Sequence, residues 1–445
     1  MGYSQKIIIK NFGPISHVEL PLNRFSVFFG PQASGKSTLS KSIYFFKSIR
    51  DEMYNIFINH IQSEKEKILT STNVVYKLNN KFKSIFGLFY LHNNFYMEFS
   101  YKDDEFLRLK KGNGREMKFE FSNRMQWEIT RIISFVNSYK EQKLKERKKK
   151  ESLKSILGVM KDRQFLSNMK NMLDNLFGDD REVLYIPAGR SLISTLSNKL
   201  YLLFQISEYD RNVDYLIREF SEKIMNTRDY FDKDVRELIK ERANIEENED
   251  YRKNLFMFID KIQDILGGGY RFIDGKDRFY MSSKNFIPLN LASSGQQEAV
   301  WIIYLMLFYY LEDKDCFIVI EEPEAHLFPK AQRDILRAIS LFINRKNNQC
   351  IITTHSPYLV SSVNNLLYSK YIYDKYKRIN SLIDSAFWID PNDMVALFLS
   401  SGYAQDLLDE ETKLLASHHL DSVSDLNSDE FEMLYEIEME EKYGE

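Results

Sequence analysis

The sequence predicts an α/β fold to which an antiparallel β-subdomain and a helical insertion are added. Short, almost fully apolar runs at residues 24–30, 182–190, 316–320 and 349–353 are typical of strands covered on both faces. Helical periodicity follows several of these runs, as expected when parallel strands are joined by crossover helices. Residues 94–121 instead read as strands separated by two polar or glycine-rich turns, which indicates antiparallel hairpins.

The composition is that of an ordinary globular protein. The chain has 445 residues, and its net charge of -3 excludes a uniformly basic nucleic-acid coat but leaves room for a local basic patch. Cys316 and Cys350 each lead into an apolar run, which predicts buried free thiols in a reducing compartment. The longest apolar run, residues 299–311, is shorter than the roughly 20 residues that cross a bilayer. We therefore expect a cytoplasmic protein without a signal peptide or membrane partner.

The order of these patterns along the chain predicts four parts. Residues 123–265 are rich in lysine and poor in glycine and proline, and residues 401–445 are acidic with leucines at helical spacing. The expected parts are an N-terminal lobe (1–122), a helical or coiled-coil arm interrupted by a core strand near 182–190 (123–265), a C-terminal lobe (266–400) and an acidic helical tail (401–445).

A phosphate-binding loop is predicted between the apolar run 24–30 and the helix that follows. Its residues, Gly30, Pro31, Gln32, Ala33, Ser34, Gly35, Lys36 and Ser37, followed by Thr38, match G-x-x-x-x-G-K-[ST] at every required position. The backbone N–H groups of such a loop surround phosphates. We predict that Lys36 supplies positive charge to the β- and γ-phosphate oxygens and that Ser37 binds Mg²⁺.

Two further apolar strands end in candidate catalytic residues. If the strand at 316–320 lies near the phosphate loop, we expect Glu321 to hold Mg²⁺ through a water molecule and Glu322 to orient and deprotonate the attacking water. The alternative is a strand ending in ordinary solvated acids. His355 follows the strand at 349–353, where it can reach the γ-phosphate; the alternative is a cap or loop residue.

A second anion site is predicted where the segment Ser293, Ser294, Gly295 and Gln296 opens a helix, because its N–H groups and dipole attract phosphate. The chain already contains one complete phosphate loop. A second phosphate-binding helix start is therefore best explained as serving the nucleotide of a partner subunit, which predicts a homodimer.

Together these motifs resemble those of the ABC-type ATPases of the SMC, RecF and OLD group. The likeness extends to the bacterial AAA family ATPases of anti-phage defence systems, including those of the Septu and PARIS type. The segments that carry it are "IIIKNFGPI", "FFGPQASGKST", "LASSGQQE", "FIVIEEPEAHLFP" and "IITTHSPYLV". In this resemblance Glu322 looks like the catalytic base and His355 like the switch histidine.

The resemblance implies an ABC-type P-loop NTPase head that uses ATP and Mg²⁺. It also implies a nucleotide-sandwiched dimer of heads, in which Ser294 and Gly295 of one subunit contact the γ-phosphate held by Lys36 of the other. Glu324 and Ala325 fall where the family's dimer-contact loop lies.

Three positions depart from the family pattern. Glu321 replaces the usual metal-binding aspartate, the signature reads Ser-Ser-Gly-Gln, and no clear Q-loop glutamine is found. The loop at 186–190 lies roughly where the Q-loop is expected, so Arg190 is a candidate sensor of the γ-phosphate or metal; the alternative is a structural ion pair. Asn11 and Phe12 precede the phosphate-loop strand, where family members often contact the nucleotide, but a turn and core packing explain them equally well.

The lysine-rich run from Lys140 to Lys150 permits three interpretations. It is a nucleic-acid contact, a solvated face of the helical arm, or a site for an acidic protein surface such as the tail of a neighbouring subunit.

The favoured function is a slow ATP-hydrolysing switch that oligomerises and controls a separate nuclease or toxin in anti-phage defence. The effector is expected on another chain, because the acids after residue 360 do not form the cluster that an OLD-type nuclease requires. The alternatives are a DNA-clamping repair or chromosome ATPase and a non-hydrolysing ATP-dependent scaffold. Retention of Glu322 and His355 favours hydrolysis.

Overall fold

In the computed structural model, the chain folds around a large mixed β-sheet. The structure describes residues 5–64, 67–87, 91–102, 104–111, 117–148, 156–196, 214–245, 248–345, 347–373, 377, 381–409, 411–416 and 432–433. The strands in these ranges are β1 (Lys6–Phe12), β2 (Ile15–Pro21), β3 (Phe25–Phe29), β4 (Leu91–Lys102), β5 (Glu105–Lys111), β6 (Met117–Phe121), β7 (Glu182–Ile186), β8 (Gly269–Ile273), β9 (Lys276–Tyr280), β10 (Phe286–Pro288), β11 (Cys316–Glu321), β12 (Gln349–Thr354), β13 (Met394–Ser400) and β14 (Tyr403–Asp406).

Helices cover both faces of the sheet. The α-helices of the described ranges are α1 (Lys36–Gln62), α2 (Ser71–Phe86), α3 (Asn123–Lys148), α4 (Ile156–Phe177), α5 (Ser191–Thr195), α6 (Tyr215–Thr227), α7 (Val235–Ile245), α8 (Glu249–Leu266), α9 (Ser294–Leu311), α10 (Pro329–Ile343) and α11 (Pro357–Ile372). None of these helices is both long enough and apolar enough to cross a lipid bilayer.

The large sheet has a parallel half and an antiparallel half. Its strand order, within the described part of the chain, is β6-β5-β4-β1-β2-β14-β13-β3-β12-β11-β7. The neighbours among β7, β11, β12, β3 and β13 pair in parallel. The neighbours among β2, β1, β4, β5 and β6 pair antiparallel. Strand β14 joins the halves, because it pairs with both β13 and β2.

The parallel half is built from the apolar runs that the sequence predicts as buried strands. Strands β3, β11 and β12 are buried at every residue. Along β11, Ile318 and Ile320 face a core that includes α9 and α10, whereas Phe317 and Val319 face a second core that includes α1. The two faces of the sheet therefore separate two hydrophobic cores, and the α/β prediction is confirmed.

The antiparallel strands predicted for residues 94–121 are present as β4, β5 and β6. Strand β4 pairs with β1, β5 with β4 and β6 with β5, so the predicted antiparallel β-subdomain is a continuation of the main sheet. Their buried face packs on α1, and Phe99 stacks on Phe46 with ring centroids 5.3 Å apart. The predicted hairpin at 267–283 is also confirmed as β8 and β9, with β10 as a third strand.

The helical arm contains α3 and α4, which pack against each other. The ring of Tyr139 stacks on Phe165 with centroids 3.6 Å apart, and Lys143 Nζ donates to Asp162 Oδ2 at 2.6 Å. Lys140 is buried, with 4% of its surface exposed. These contacts remove part of the lysine run from solvent, whereas Lys149 and Lys150 lie outside the described residues.

The prediction of a helical tail from residue 401 is wrong at its start. Ser401 and Gly402 have positive φ angles of 50° and 84°, and they form a tight turn between β13 and β14. Such two-residue turns match the twist of a hairpin, so the chain continues as a strand rather than a helix. Residues 410, 417–431 and 434–445 of the predicted tail lie outside the described residues.

Candidate nucleotide-binding site

The predicted phosphate loop connects the carboxyl end of β3 with the start of α1. Gly30, Ala33 and Gly35 have φ angles of 148°, 60° and 104°, which lie in the region that favours glycine. A side chain at Gly30 would collide with the carbonyl oxygen of Leu399 in β13. The loop therefore needs its first glycine because a neighbouring strand approaches it closely.

The ammonium group of Lys36 lies inside this loop. Its Nζ donates to the carbonyl oxygens of Gly30 at 2.8 Å and Pro31 at 2.7 Å. Burial lowers the pKa of Lys36 to about 8, and the nearby carboxylates of Glu322 and Glu324 oppose this shift. The lysine ammonium is thus held inside the loop and binds its proton less tightly than a free lysine does.

His355 connects this lysine with Glu322. Its Nδ1 lies 3.3 Å from Lys36 Nζ and its Nε2 lies 3.2 Å from a carboxylate oxygen of Glu322. The carboxylate of Glu324 accepts hydrogen bonds from the Thr354 hydroxyl at 2.6 Å and from the backbone N–H of His355 at 2.9 Å. The ends of β11 and β12 and the phosphate loop therefore bring the three predicted catalytic groups into one chain of contacts.

Glu321, the last residue of β11, is the candidate magnesium ligand. It is buried, and its Oε2 accepts the N–H of Ala188 at 3.2 Å. Its Oε1 is also buried without a hydrogen bond of normal geometry to the described residues, and the Tyr185 hydroxyl interacts with the carboxylate group. A buried, unsatisfied carboxylate oxygen is costly unless a cation or donor completes it. Glu321 and the hydroxyl of Ser37, at the start of α1, therefore fit a magnesium ion by donor chemistry.

Arg190 does not reach the site surface. Its side chain is 0% exposed, and its guanidinium donates to the carbonyl oxygens of Pro187 at 2.8 Å, Glu321 at 2.6 Å and Glu322 at 2.9 Å. The same guanidinium pairs with Glu298 at 3.1 Å. The prediction of a phosphate or metal sensor is therefore wrong, and the structural ion pair that was its alternative is present.

The signature segment forms the capped start of α9. The hydroxyl of Ser293 accepts the N–H of Gln296, whose Oε1 in turn accepts the N–H of Ser293 at 3.0 Å. This reciprocal pair fixes the first turn. A side chain at Gly295 would lie 2.7 Å from the carbonyl oxygen of His326, so the signature turn packs directly on the turn that follows Glu322. Ser294 is exposed at the helix start.

Asn11 and Phe12 are the last two residues of β1. Asn11 has a positive φ of 53°, and Phe12 is buried against aromatic rings of α2 and β4. A side chain at Gly35 would lie 3.1 Å from Ile15 and 3.4 Å from Pro14. The turn after β1 therefore lies next to the phosphate loop, and the turn-and-packing explanation accounts for both residues.

Comparison with protein families identifies the chain. Residues 5–360 match the model of the AAA ATPase domain. The chain belongs to this AAA ATPase family. Comparison of this AAA ATPase with curated proteins gave no match.

Solved structures similar to this AAA ATPase include three SMC head domains. One is an SMC head bound to the C-terminal winged-helix domain of ScpA, with a TM-score of 0.40, 11% identity, and coverage of 91% of this chain and 96% of that chain. A second is an Smc head with an extended coiled coil bound to the C-terminal domain of ScpA from Pyrococcus furiosus. Its TM-score is 0.39 and its identity 11%, and the match covers 96% of this chain and 100% of that chain. A third is the SMC head from Thermotoga maritima, with a TM-score of 0.35, 11% identity, and coverage of 91% of this chain and 98% of that chain.

Sequence reasoning missed one important residue of this AAA ATPase. Glu298 has 2% of its side chain exposed and holds Arg190 inside the protein. It directly precedes the apolar run 299–311, so a carboxylate at the start of a buried helix was the available signal. Its partner lies 108 positions earlier in the chain and was not evident from local pattern.

Proposed function

We propose that this AAA ATPase binds and hydrolyses ATP with Mg²⁺. The observation that carries the proposal is the continuous contact from Lys36 through His355 to Glu322, formed where three segments meet at the carboxyl ends of parallel strands. Ligands of open α/β sheets bind at this edge. Family membership supports the same reading.

In the proposed reaction each group has a separate task. Lys36 transfers its hydrogen bonds from the loop carbonyls to phosphate oxygens and offsets their charge. Glu322 accepts the proton of the attacking water, with His355 beside it to fix its orientation. Glu321 and Ser37 would hold Mg²⁺, which would neutralise charge on the phosphates. Slow turnover suits a switch that changes state with each hydrolysis.

A second copy of the chain is proposed to complete the site. The exposed helix start at Ser294 and Gly295 offers N–H groups and a favourable dipole to a γ-phosphate. In a dimer of heads this helix start faces the nucleotide held by Lys36 of the other subunit. Glu324 and Ala325, in the turn after Glu322, then lie at the contact between subunits.

The test is the variant Glu322→Gln. It removes the base but retains size and polarity, so ATP is expected to bind while turnover falls by about 100-fold or more. Native mass measurement in ATP should then detect an accumulated dimer or higher oligomer. Glu312→Gln, on the surface beyond α9, is the matched control and should turn ATP over normally. Normal turnover of Glu322→Gln would contradict the choice of base.

For the biological role, we propose control of a separate nuclease or toxin in anti-phage defence. This rests on the motif resemblance. The buried Lys140 and the Lys143–Asp162 pair weaken the idea that the arm is a free basic patch for DNA. Co-expression with the neighbouring gene product, followed by mass determination, tests the role. Stimulation of ATP turnover by DNA would favour the repair or chromosome function instead.

A further inference from the structure

A buried ion pair connects the signature helix α9 with the end of β11. Arg190 and Glu298 have 0% and 2% of their side chains exposed, and Nε of the arginine lies 3.1 Å from Oε2 of the glutamate. Glu298 is three positions after Gly295 in α9, so it lies about one helical turn from the proposed phosphate contact. Both members of this pair, named the Arg190–Glu298 pair, are therefore fixed inside the protein.

The carboxylate of Glu298 is also tied to the loop after β7. Its two oxygens accept the backbone N–H groups of Arg190 at 3.2 Å and Ser191 at 3.0 Å. The Arg190 Nε additionally donates to the carbonyl oxygen of Glu298 at 3.3 Å. A movement of α9 is therefore transmitted to the main chain and the side chain of Arg190 together.

The other side of the guanidinium holds the backbone of the two site glutamates. It donates to the carbonyl oxygens of Glu321 at 2.6 Å and Glu322 at 2.9 Å. Glu322 has a positive φ of 44°, which is uncommon for a residue other than glycine and persists only where the surroundings enforce it. The carbonyl of Glu322 also accepts the N–H of Ala325 at 3.0 Å. Arg190 thus helps to enforce the backbone conformation from which the Glu322 side chain projects.

A purely structural need does not explain this arrangement well. A buried ion pair is often no more stabilising than well-packed apolar side chains of the same volume, and α9 is otherwise apolar after Glu298. The pair instead lies between the proposed contact for a partner's phosphate and the proposed base. We propose that the Arg190–Glu298 pair is a positioning device that orients Glu322 and couples this orientation to the signature turn. This inference rests on the proposed function of Glu322 in ATP hydrolysis.

The test compares single and double variants of the full chain. Arg190→Met or Glu298→Gln alone leaves a buried charge without its partner, so each is expected to lower Tm. The double variant Arg190→Met/Glu298→Gln removes both charges and should recover much of this loss. It cannot restore the bonds to the two carbonyl oxygens, so kcat should remain about 10- to 100-fold low while the Kd for ATP stays within about twofold. Arg190→Lys retains the charge but lacks the planar guanidinium that donates to several acceptors at once, so it should behave like the double variant.

A matched control is the buried pair between Lys261 of α8 and Asp334 of α10, whose atoms lie 3.0 Å apart. Lys261→Met/Asp334→Asn alters a buried pair of the same lobe that does not touch the site glutamates. It should change Tm without lowering kcat.

A readout independent of turnover is hydrogen exchange at the turn after β11. The backbone N–H of Glu322 donates to the carbonyl oxygen of Thr353, and the backbone N–H of Ala325 donates to the carbonyl oxygen of Glu322. In Arg190→Lys and in the double variant, exchange at these amides should accelerate about tenfold or more, with little change in the control pair.

Two results would overturn the positioning role: recovery of native kcat in a double variant that has recovered Tm, or unchanged exchange at Glu322 and Ala325. If the native chain hydrolyses no ATP, the proposed function fails. The exchange measurement then still decides whether the pair holds this turn.

Discussion

The parallel and antiparallel halves of the sheet use the same secondary structure for different purposes. In the parallel half, β3, β11 and β12 are buried at every residue, and charged groups appear only where the strands end. In the antiparallel half, side chains alternate between a buried face and a solvated face along β5. Charged pairs such as Glu98–Arg108 cross the solvated face.

This difference separates the part of the sheet that carries the proposed site from the part that mainly contributes to stability. Strands that run in the same direction bring their carboxyl ends to one edge, so Glu321, Glu322 and His355 meet at the phosphate loop. Neighbouring strands of the antiparallel half run in opposite directions, so their ends are divided between two edges. That half instead buries aromatic side chains against α1, and its β1–β2 turn packs against Gly35 of the phosphate loop.

The largest expected effect comes from truncating a buried phenylalanine in each half of the sheet, which separates stability from ATP turnover. Phe99 in β4 and Phe317 in β11 are both fully buried, and truncating either to alanine should lower the free energy of unfolding by about 3–5 kcal/mol. Only Phe317→Ala lies on the strand that carries the site glutamates, so only this variant should also reduce ATP turnover per folded molecule. Denaturant unfolding and turnover assays check both. Equal loss of turnover in Phe99→Ala would show that the halves do not act separately.

The next largest effect concerns the lysine of the phosphate loop. Lys36→Ala removes the charge that faces the phosphates and should weaken ATP binding by about 100-fold or more. Lys10→Ala, on the exposed face of β1, removes the same charge from the antiparallel half and serves as the control. Its Kd for ATP should match that of the native chain. Titration with a fluorescent ATP analogue measures both, and similar losses would indicate a general electrostatic effect.

A smaller effect follows from the pKa of Lys36, which burial lowers from 10.5 to about 8. The charged form attracts phosphate, so the Kd for ATP should rise about tenfold between pH 7 and pH 9. Between about pH 8 and 10.5 the unfolded chain holds this proton more tightly than the folded chain. This group alone therefore makes stability increase with pH there, and weaker binding cannot be ascribed to its effect on unfolding. A constant Kd across this range would contradict the prediction.

The smallest effect lies on the solvated face of the antiparallel half. Glu120 pairs with Lys110 and Lys118 at 2.9 Å each, and hydrogen bonds from these lysines lower the pKa of its carboxyl group. Exposed pairs are screened by water, so Glu120→Gln should cost less than about 1 kcal/mol of stability. ATP binding should not change. A loss of several kcal/mol in thermal unfolding would show that this face is covered in the working assembly.

Local pattern was sufficient for the strands and the phosphate loop, because an apolar run and a glycine-lysine spacing each report on their own surroundings. The same applies to the positions of Glu321, the last residue of β11, and of Glu322 and His355, which directly follow buried strands. The side chain of Arg190 was assigned to the wrong environment, because its direction depends on Glu298, a distant partner. Strands β2, β13 and β14 were missed, although β2 forms a hairpin with β1 and β14 forms one with β13. Only the pairings of β13 with β3 and of β14 with β2 depend on neighbours far along the chain.

The position of β13 beside β3 has a consequence for synthesis of the protein. Phe25 in β3 pairs with Cys350 on one side and Met394 on the other, so both neighbours of this early strand emerge late from the ribosome. The nascent chain must keep an apolar strand with two open edges until almost all of the sheet has been translated. Such long-range pairing is slow to form. The proposed phosphate loop, whose Gly30 lies against Leu399 of β13, therefore gains this neighbour only after the C-terminal lobe has been translated.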